Sequence, residues 1–177
     1  MEKELRLYDI HYVGLTTGEH VFNYEITDSF FKLIEESPLQ KGDCNVKLVF
    51  EKEATHFVLS FSVEGNVEVE CDRCTADIKY PIYNNFKLYI KFDDQRDTGT
   101  SEDDDEMIYI PRSDSTINVA QFIYEYISLS IPMVRNCDFL EEKYKNCNQE
   151  ILKKLKNEST EHETDARWEK LKNIKLK

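Results

Sequence analysis

Val67-Glu68-Val69-Glu70-Cys71-Asp72-Arg73-Cys74-Thr75-Ala76-Asp77-Ile78 is the stretch on which the reading of the fold turns. Val67 and Val69 alternate with Glu68 and Glu70, the period-two pattern of a half-buried strand. The strand runs into a tight turn that holds a Cys-x-x-Cys pair, and a second strand returns from it. This spacing is common at zinc turns, where two thiolates grip one ion. A thioredoxin-type redox pair would instead sit at a helix N-terminus, where the dipole lowers a thiol pKa. The β-like flanks of Cys71 and Cys74 argue against that arrangement.

Outward from this turn the chain reads as β-rich. Asn45–Glu51 alternates through Val46, Leu48 and Phe50, and Thr55–Val63 through Phe57, Leu59, Phe61 and Val63. Gly65-Asn66 is expected to turn the chain into the cysteine-bearing strand. Ile78–Tyr83 returns, with Pro81 marking an edge or a bulge, and Asn84–Phe92 forms a further strand through Phe86, Leu88, Ile90 and Phe92. Upstream, Glu4–Ile10 is expected as a first strand and His20–Ile26 as another. Thr27-Asp28 is an N-cap for a helix over Ser29–Glu36 that ends at Ser37-Pro38. Downstream, Asp93–Glu106 carries eight acidic residues against one arginine and is expected as a mobile, solvated loop. Met107–Ile110 is a brief strand.

The clearest helix start is Asn118, with Gln121 three residues on and Ile117 placed to staple to Phe122. Ala120, Ile123, Tyr124, Ile127 and Ile131 repeat at helical spacing up to Ser130, ahead of Pro132, and form a core face against the sheet. Glu141–Lys145 is a turn of helix, Ile151–Lys156 is helical, and residues 157–177 comprise a linker and a short amphipathic helix containing Trp168 and Leu171. The expected architecture is α+β: a mostly antiparallel sheet or partly open barrel with one packed helix and a helical C-terminal segment. Residues 1–156 form a single domain and 157–177 an appendage.

The net charge is −12, and Lys143–Lys177 is locally positive, with ten basic residues against six acidic ones. An acidic chain does not resemble a general nucleic-acid binder, whose affinity comes from phosphate contacts. It suits a basic protein partner, or RNA contact confined to the C-terminal segment. No apolar run is long enough for a transmembrane helix, and Met1-Glu2-Lys3-Glu4 lacks a signal-peptide core, so a cytoplasmic location is expected. Five cysteines there are thiols or metal ligands rather than disulfides. Cys137 and Cys147 follow the long helix and could complete a four-sulfur site with Cys71 and Cys74, which would be structural because no position stays open for water. Unmetallated thiols are the alternative, and Cys44 reads as a plain thiol. His11, His20, His56 and His162 form no catalytic or metal-binding motif, and five glycines offer no phosphate-cradling loop, so no enzyme is expected.

The motifs together resemble a known family. Gly65-x-Val67-x-Val69-x-Cys71-x-Arg73-Cys74, an acidic insert, Ile117-Asn118-Val119, Leu129-Ser130-Ile131-Pro132, two further cysteine positions and the ending Asp165-x-Arg167-Trp168-x-x-Leu171 are similar, in order, to the YceD family of large ribosomal RNA subunit accumulation proteins. The resemblance runs from about Gly65 to the end. It implies a bacterial, cytoplasmic ribosome-biogenesis factor that supports accumulation or processing of large-subunit ribosomal RNA, with no defined catalysis. Members often carry His where Cys137 stands, and His is also a zinc ligand, so the resemblance favours one structural zinc ion. Arg167, Trp168, Lys170 and Lys172 would then face ribosomal RNA or a ribosomal protein. A zinc-stabilised adaptor that captures a basic protein through its acidic surface, and a redox or metal sensor, are the other readings.

Overall fold

Alternation of apolar and polar side chains carries the central strands. In the computed structural model, which describes residues 2–34, 37–93, 99–101, 104–141 and 146–158, Cys44, Val46, Leu48 and Phe50 are buried on one strand. Phe57, Leu59, Phe61, Val63, Val67 and Val69 are buried on the next. The elements in chain order are α1 (Glu2–Leu5), β1 (Asp9–Ile10), β2 (Gly18–Ile26), α2 (Asp28–Phe31), β3 (Gly42–Lys52), β4 (His56–Glu70), β5 (Asp77–Phe92), β6 (Gly99–Ser101), β7 (Asp104–Ile110), β8 (Ile117–Asn118), α3 (Ala120–Leu129) and α4 (Gln149–Glu158).

Six strands form one open sheet in the order β2-β3-β4-β5-β7-β6, and β1 pairs with β8 in a separate ribbon. The fold is α+β, and the sheet does not close into a barrel. Every pairing is antiparallel except β5 with β7, which run parallel from Tyr89↔Met107 to Phe92↔Ile110. One face of the sheet is covered by α3 and α2. Ile123 and Ile127 of α3 and Phe30 and Phe31 of α2 are fully buried or nearly so. Tyr126 lies 4.9 Å from the Phe61 ring and stacks on Phe86 at 4.4 Å and 9°. Each such buried apolar side chain contributes about 1.5–3 kcal/mol.

Asn118 starts α3 differently from a capping box. It lies in β8, and its Oδ1 accepts the Ala120 N–H at 3.0 Å while its Nδ2 donates to Leu5 O and Asp9 Oδ1. Gln121 reaches forward to Glu125 instead of back. One side chain thus ties the N-terminus to the root of α3.

Several expectations are corrected. Glu4–Ile10 is not a strand: α1 is followed by a 3-10 turn over Arg6–Tyr8, and only Asp9–Ile10 is extended. Half-buried Leu5 and buried Tyr8 are three apart, a helical spacing, while Leu7 is 78% exposed. The helix over Ser29–Glu36 shortens to α2, and Thr27 supplies no side-chain cap. Gly65-Asn66 makes no turn, because β4 continues through it. Gly65 has φ +153°, and a Cβ there would stand 2.4 Å from the Asp43 carbonyl oxygen and 2.5 Å from Cys44 Cα. The missing side chain lets β3 approach at the Cys44↔Gly65 pairing. The two strands expected across 78–92 are one, β5. Pro81 fits because β7 pairs only with Tyr89–Phe92, which leaves the side of β5 at Pro81 unpaired by β7.

The acidic stretch 93–106 is not wholly a loop. Gly99–Ser101 is β6, and β7 begins at Asp104, before the expected Met107. Strand pairing uses backbone groups and needs no apolar side chain at each position. Residues 94–98 and 102–103 lie outside the described residues, as do 142–145, where a helical turn was expected. α4 starts at Gln149, with Asn148 Oδ1 accepting the Glu150 N–H at 3.1 Å, and runs two residues past Lys156.

Gly65→Ala is expected to lower the urea midpoint by an amount corresponding to about 1–3 kcal/mol, the cost of overpacking. Gly14→Ala, which meets nothing within 4 Å, should stay within about 0.5 kcal/mol.

Candidate metal centre

The Cys-x-x-Cys pair sits in the connection between β4 and β5. Cys71 N–H donates to Ala76 O and Thr75 N–H to Cys71 O, both at 2.9 Å, which closes the turn. Thr75 adopts φ +54°. For a β-branched residue this left-handed conformation costs of order 1–2 kcal/mol and persists only where its surroundings enforce it.

The turn meets the segment that leaves α3. Cys71, Cys74 and Cys137 are buried, and their sulfurs all lie within 4.8 Å of one another. Cys74 Sγ is 3.8 Å from Cys137 Sγ, and the Cys137 N–H donates to Cys71 Sγ at 3.4 Å. A tetrahedral site with metal–sulfur bonds of about 2.3 Å has sulfur–sulfur edges of about 3.8 Å. Cys147 joins through Cys137, with 2.9 Å between sulfurs, well beyond a disulfide bond of about 2.05 Å. All of these cysteines are free thiols. Three of the four expected ligands therefore form one mutual cluster, and the fourth touches it at one member.

The local electrostatics separate the thiols. Burial alone would raise the Cys71 pKa, but N–H groups of Cys137, Cys74 and Arg73 outweigh it and bring the thiol down to about 7. Cys137 is pushed well above the ordinary thiol range, first by burial and then by hydrogen bonding with Cys147, Cys71 and Cys74. Cys44 lies apart, its pKa raised to about 11 chiefly by burial and then by Asp43, as a plain core thiol should be.

Charged pairs hold the two segments together. Asp72 N–H donates to Arg135 O at 2.8 Å, and Asp72 Oδ2 accepts the Arg135 N–H at 2.7 Å. Arg135 Nη2 reaches Asp72 Oδ1 at 2.8 Å. Arg73 pairs with Asp138 alongside. The Arg135 backbone and side-chain donors hold the Asp72 carboxyl below the usual carboxylate range. A depressed carboxylate gives its full contribution above the unfolded aspartate pKa, and that contribution is lost as pH falls through the lower, folded value. Asn136 Oδ1 accepts the Asp138 N–H at 2.9 Å and shapes the 3-10 turn that presents Cys137.

Sequence reading missed this zipper. Its signal was present as Asp-Arg between the first two cysteines and Arg-Asn-Cys-Asp around the third. Arg167, Trp168, Lys170 and Lys172, the expected partner-binding set, lie outside the described residues, as does most of 157–177. No described helix is long and apolar enough to cross a membrane.

Residues 59–175 match the family described as Large ribosomal RNA subunit accumulation protein YceD. No curated protein and no solved structure matches the chain.

Titration of the reduced protein with cobalt(II), a spectroscopic probe for tetrahedral thiolate sites, is expected to saturate at one equivalent. Cys137→Ser should abolish the thiolate bands and Cys44→Ser should leave them unchanged; bands that survive Cys137→Ser would contradict the cluster as the binding site. Thr75→Gly is expected to hold or raise the melting temperature, since it removes left-handed strain.

Proposed function

Because this chain belongs to the YceD family of large ribosomal RNA subunit accumulation proteins, we propose that it is a bacterial, cytoplasmic ribosome-biogenesis factor that supports accumulation or processing of large-subunit ribosomal RNA by binding rather than catalysis. The observation that carries the mechanistic part is the cluster of Cys71, Cys74 and Cys137, buried and within 4.8 Å of one another, with Cys147 against it. In this reading the four thiolates hold one structural zinc ion, which would add its binding energy to folding. A fully sulfur-ligated zinc offers no open position for water, which supports a binding role.

The chain's own residues then have defined tasks. Asp72 and Arg135 align the two loops, and the Arg73–Asp138 pair closes their rim. Cys147 fixes the start of α4, so the C-terminal segment leaves the body from a set position. Arg167, Trp168, Lys170 and Lys172 would be the contact residues for RNA or a ribosomal protein, a composition suited to a binding hot spot.

A groove of about 840 Å³ beside the cysteines favours a second reading, a zinc-stabilised adaptor for a basic protein. Its lining includes Glu68, Glu70, Asp72 and Asp77 against Lys41 and Arg135, with Met133 98% exposed at its edge.

Depletion of the protein is expected to raise the ratio of precursor to mature large-subunit ribosomal RNA with small-subunit RNA unchanged, and equal ratios would overturn the proposed role. A chelator should lower the melting temperature of the wild type and leave Cys71→Ser unaffected; a wild-type melt indifferent to chelation would remove the zinc.

A further inference from the structure

The sheet has a second face, turned away from α2 and α3. On β5 the even-numbered Ile78, Ile82, Leu88 and Ile90 are buried, so the odd-numbered residues point to the opposite side. Lys79, Tyr83, Lys87, Tyr89 and Lys91 therefore form one column, and Tyr83 is 71% exposed. The three lysines are exposed. From Lys79 to Lys91 the strand contains no acidic residue, in a chain with 35 of them. At about 3.3 Å per residue the column is about 40 Å long.

Across the sheet, Ser60 and Ser62 of β4 stand opposite Lys87 and Asn85. Lys47 of β3 pairs with Ser62 and brings a fourth exposed ammonium to the same face. Among the described residues none of these four lysines is in an ion pair. Beside Tyr83 the face dips into a depression of about 400 Å³, where Glu25 and Glu64 stand among lining residues that include Asn45, Lys47 and Ser62. These side chains supply amide, ammonium and hydroxyl groups that can bond a base edge. Glu64 opposite Tyr83, Glu68 opposite Lys79 and, on β3, Asp43 and Glu51 share this face and bound a smaller patch that holds Lys47, Lys87 and Lys91.

We propose that this outward face of β3, β4 and β5 is a binding platform for single-stranded RNA, with Lys47, Lys87 and Lys91 on the phosphates and Tyr83 and Tyr89 under the bases. The inference rests on the ribosomal-RNA role above and assigns the direct contact to the sheet. Charge complementarity selects the occupant: Lys47, Lys87 and Lys91, on a patch without acidic groups among the described side chains, attract a polyanion to this part of an otherwise acidic chain. The interleaved tyrosines select unpaired bases over a duplex, because exposed rings stack on splayed bases and cannot reach those inside a helix.

The test is equilibrium binding of the full chain to a mixed-sequence single-stranded RNA oligonucleotide and to its duplex, across a salt series. The wild type is expected to prefer the single strand. Lys87→Glu with Lys91→Glu should weaken binding at least tenfold and reduce the salt slope by about 1.4, since each single-strand phosphate contact contributes about 0.7. Tyr83→Ala should weaken it by about fivefold or more. Lys153→Glu with Lys154→Glu, exposed on α4, serves as the charge control and should stay within about twofold. Unchanged melting temperatures establish that the variants fold. If the lysine and tyrosine variants bind like wild type, the platform is wrong while direct RNA binding stands. If the wild type binds no RNA, or binds polyglutamate more tightly, the platform falls. The precursor ratio in depleted cells, rescued or not by the same variants, reports separately on the ribosomal-RNA role.

Discussion

Two chain segments separated by the whole second half of the sheet must bring their sulfurs to one point. Cys71 and Cys74 close the β4–β5 connection, Cys137 follows α3, and 63 positions separate Cys74 from Cys137 across 3.8 Å. Loop closure on this scale carries an entropic cost, and thiolates buried at this point would need a cation to neutralise them. The Asp72–Arg135 and Arg73–Asp138 pairs offset part of that cost, but both are surface pairs and each contributes little by itself. A bound metal would supply what these pairs do not, and the strained Thr75 would be tolerable in a turn whose shape metal-held sulfurs dictate.

The sheet divides the molecule into two unlike faces. Inward, α2 and α3 seal an aromatic core in which Tyr126 bridges Phe61 and Phe86. Outward, β5 presents lysines and tyrosines to solvent. The cysteine turn terminates both β4 and β5, so whatever holds it also holds the ends of the two longest strands, at 15 and 16 residues. The stability of the centre and the shape of the outward face are thereby coupled through the same pair of strands.

Much of this was legible from sequence where periodicity was strong. β3, the first half of β4, α3 and the cysteine turn followed from alternation, helical spacing and the Cys-x-x-Cys pair. Places where local signals mislead were less legible. Gly65 reads as a turn residue, yet it serves the close approach of β3, a property of the partner strand. Leu5 and Tyr8 fit a strand or a helix over so short a window, and tertiary contact with Asn118 decides. The acidic stretch suggested a loop because its composition lacks apolar anchors, whereas β6 and β7 are held by backbone pairing. The Asp72–Arg135 pair joins positions 63 apart, and one sequence without covariation gives no distance between them.

The cysteine cluster is proposed to be a metal centre. Native mass spectrometry of the full chain, purified without chelator or reductant, tests it most directly. One zinc ion per chain is expected, with all the thiols recovered as free cysteines after the metal is removed. A metal-free chain, or one two hydrogens lighter through a bond between Cys137 and Cys147, would contradict it.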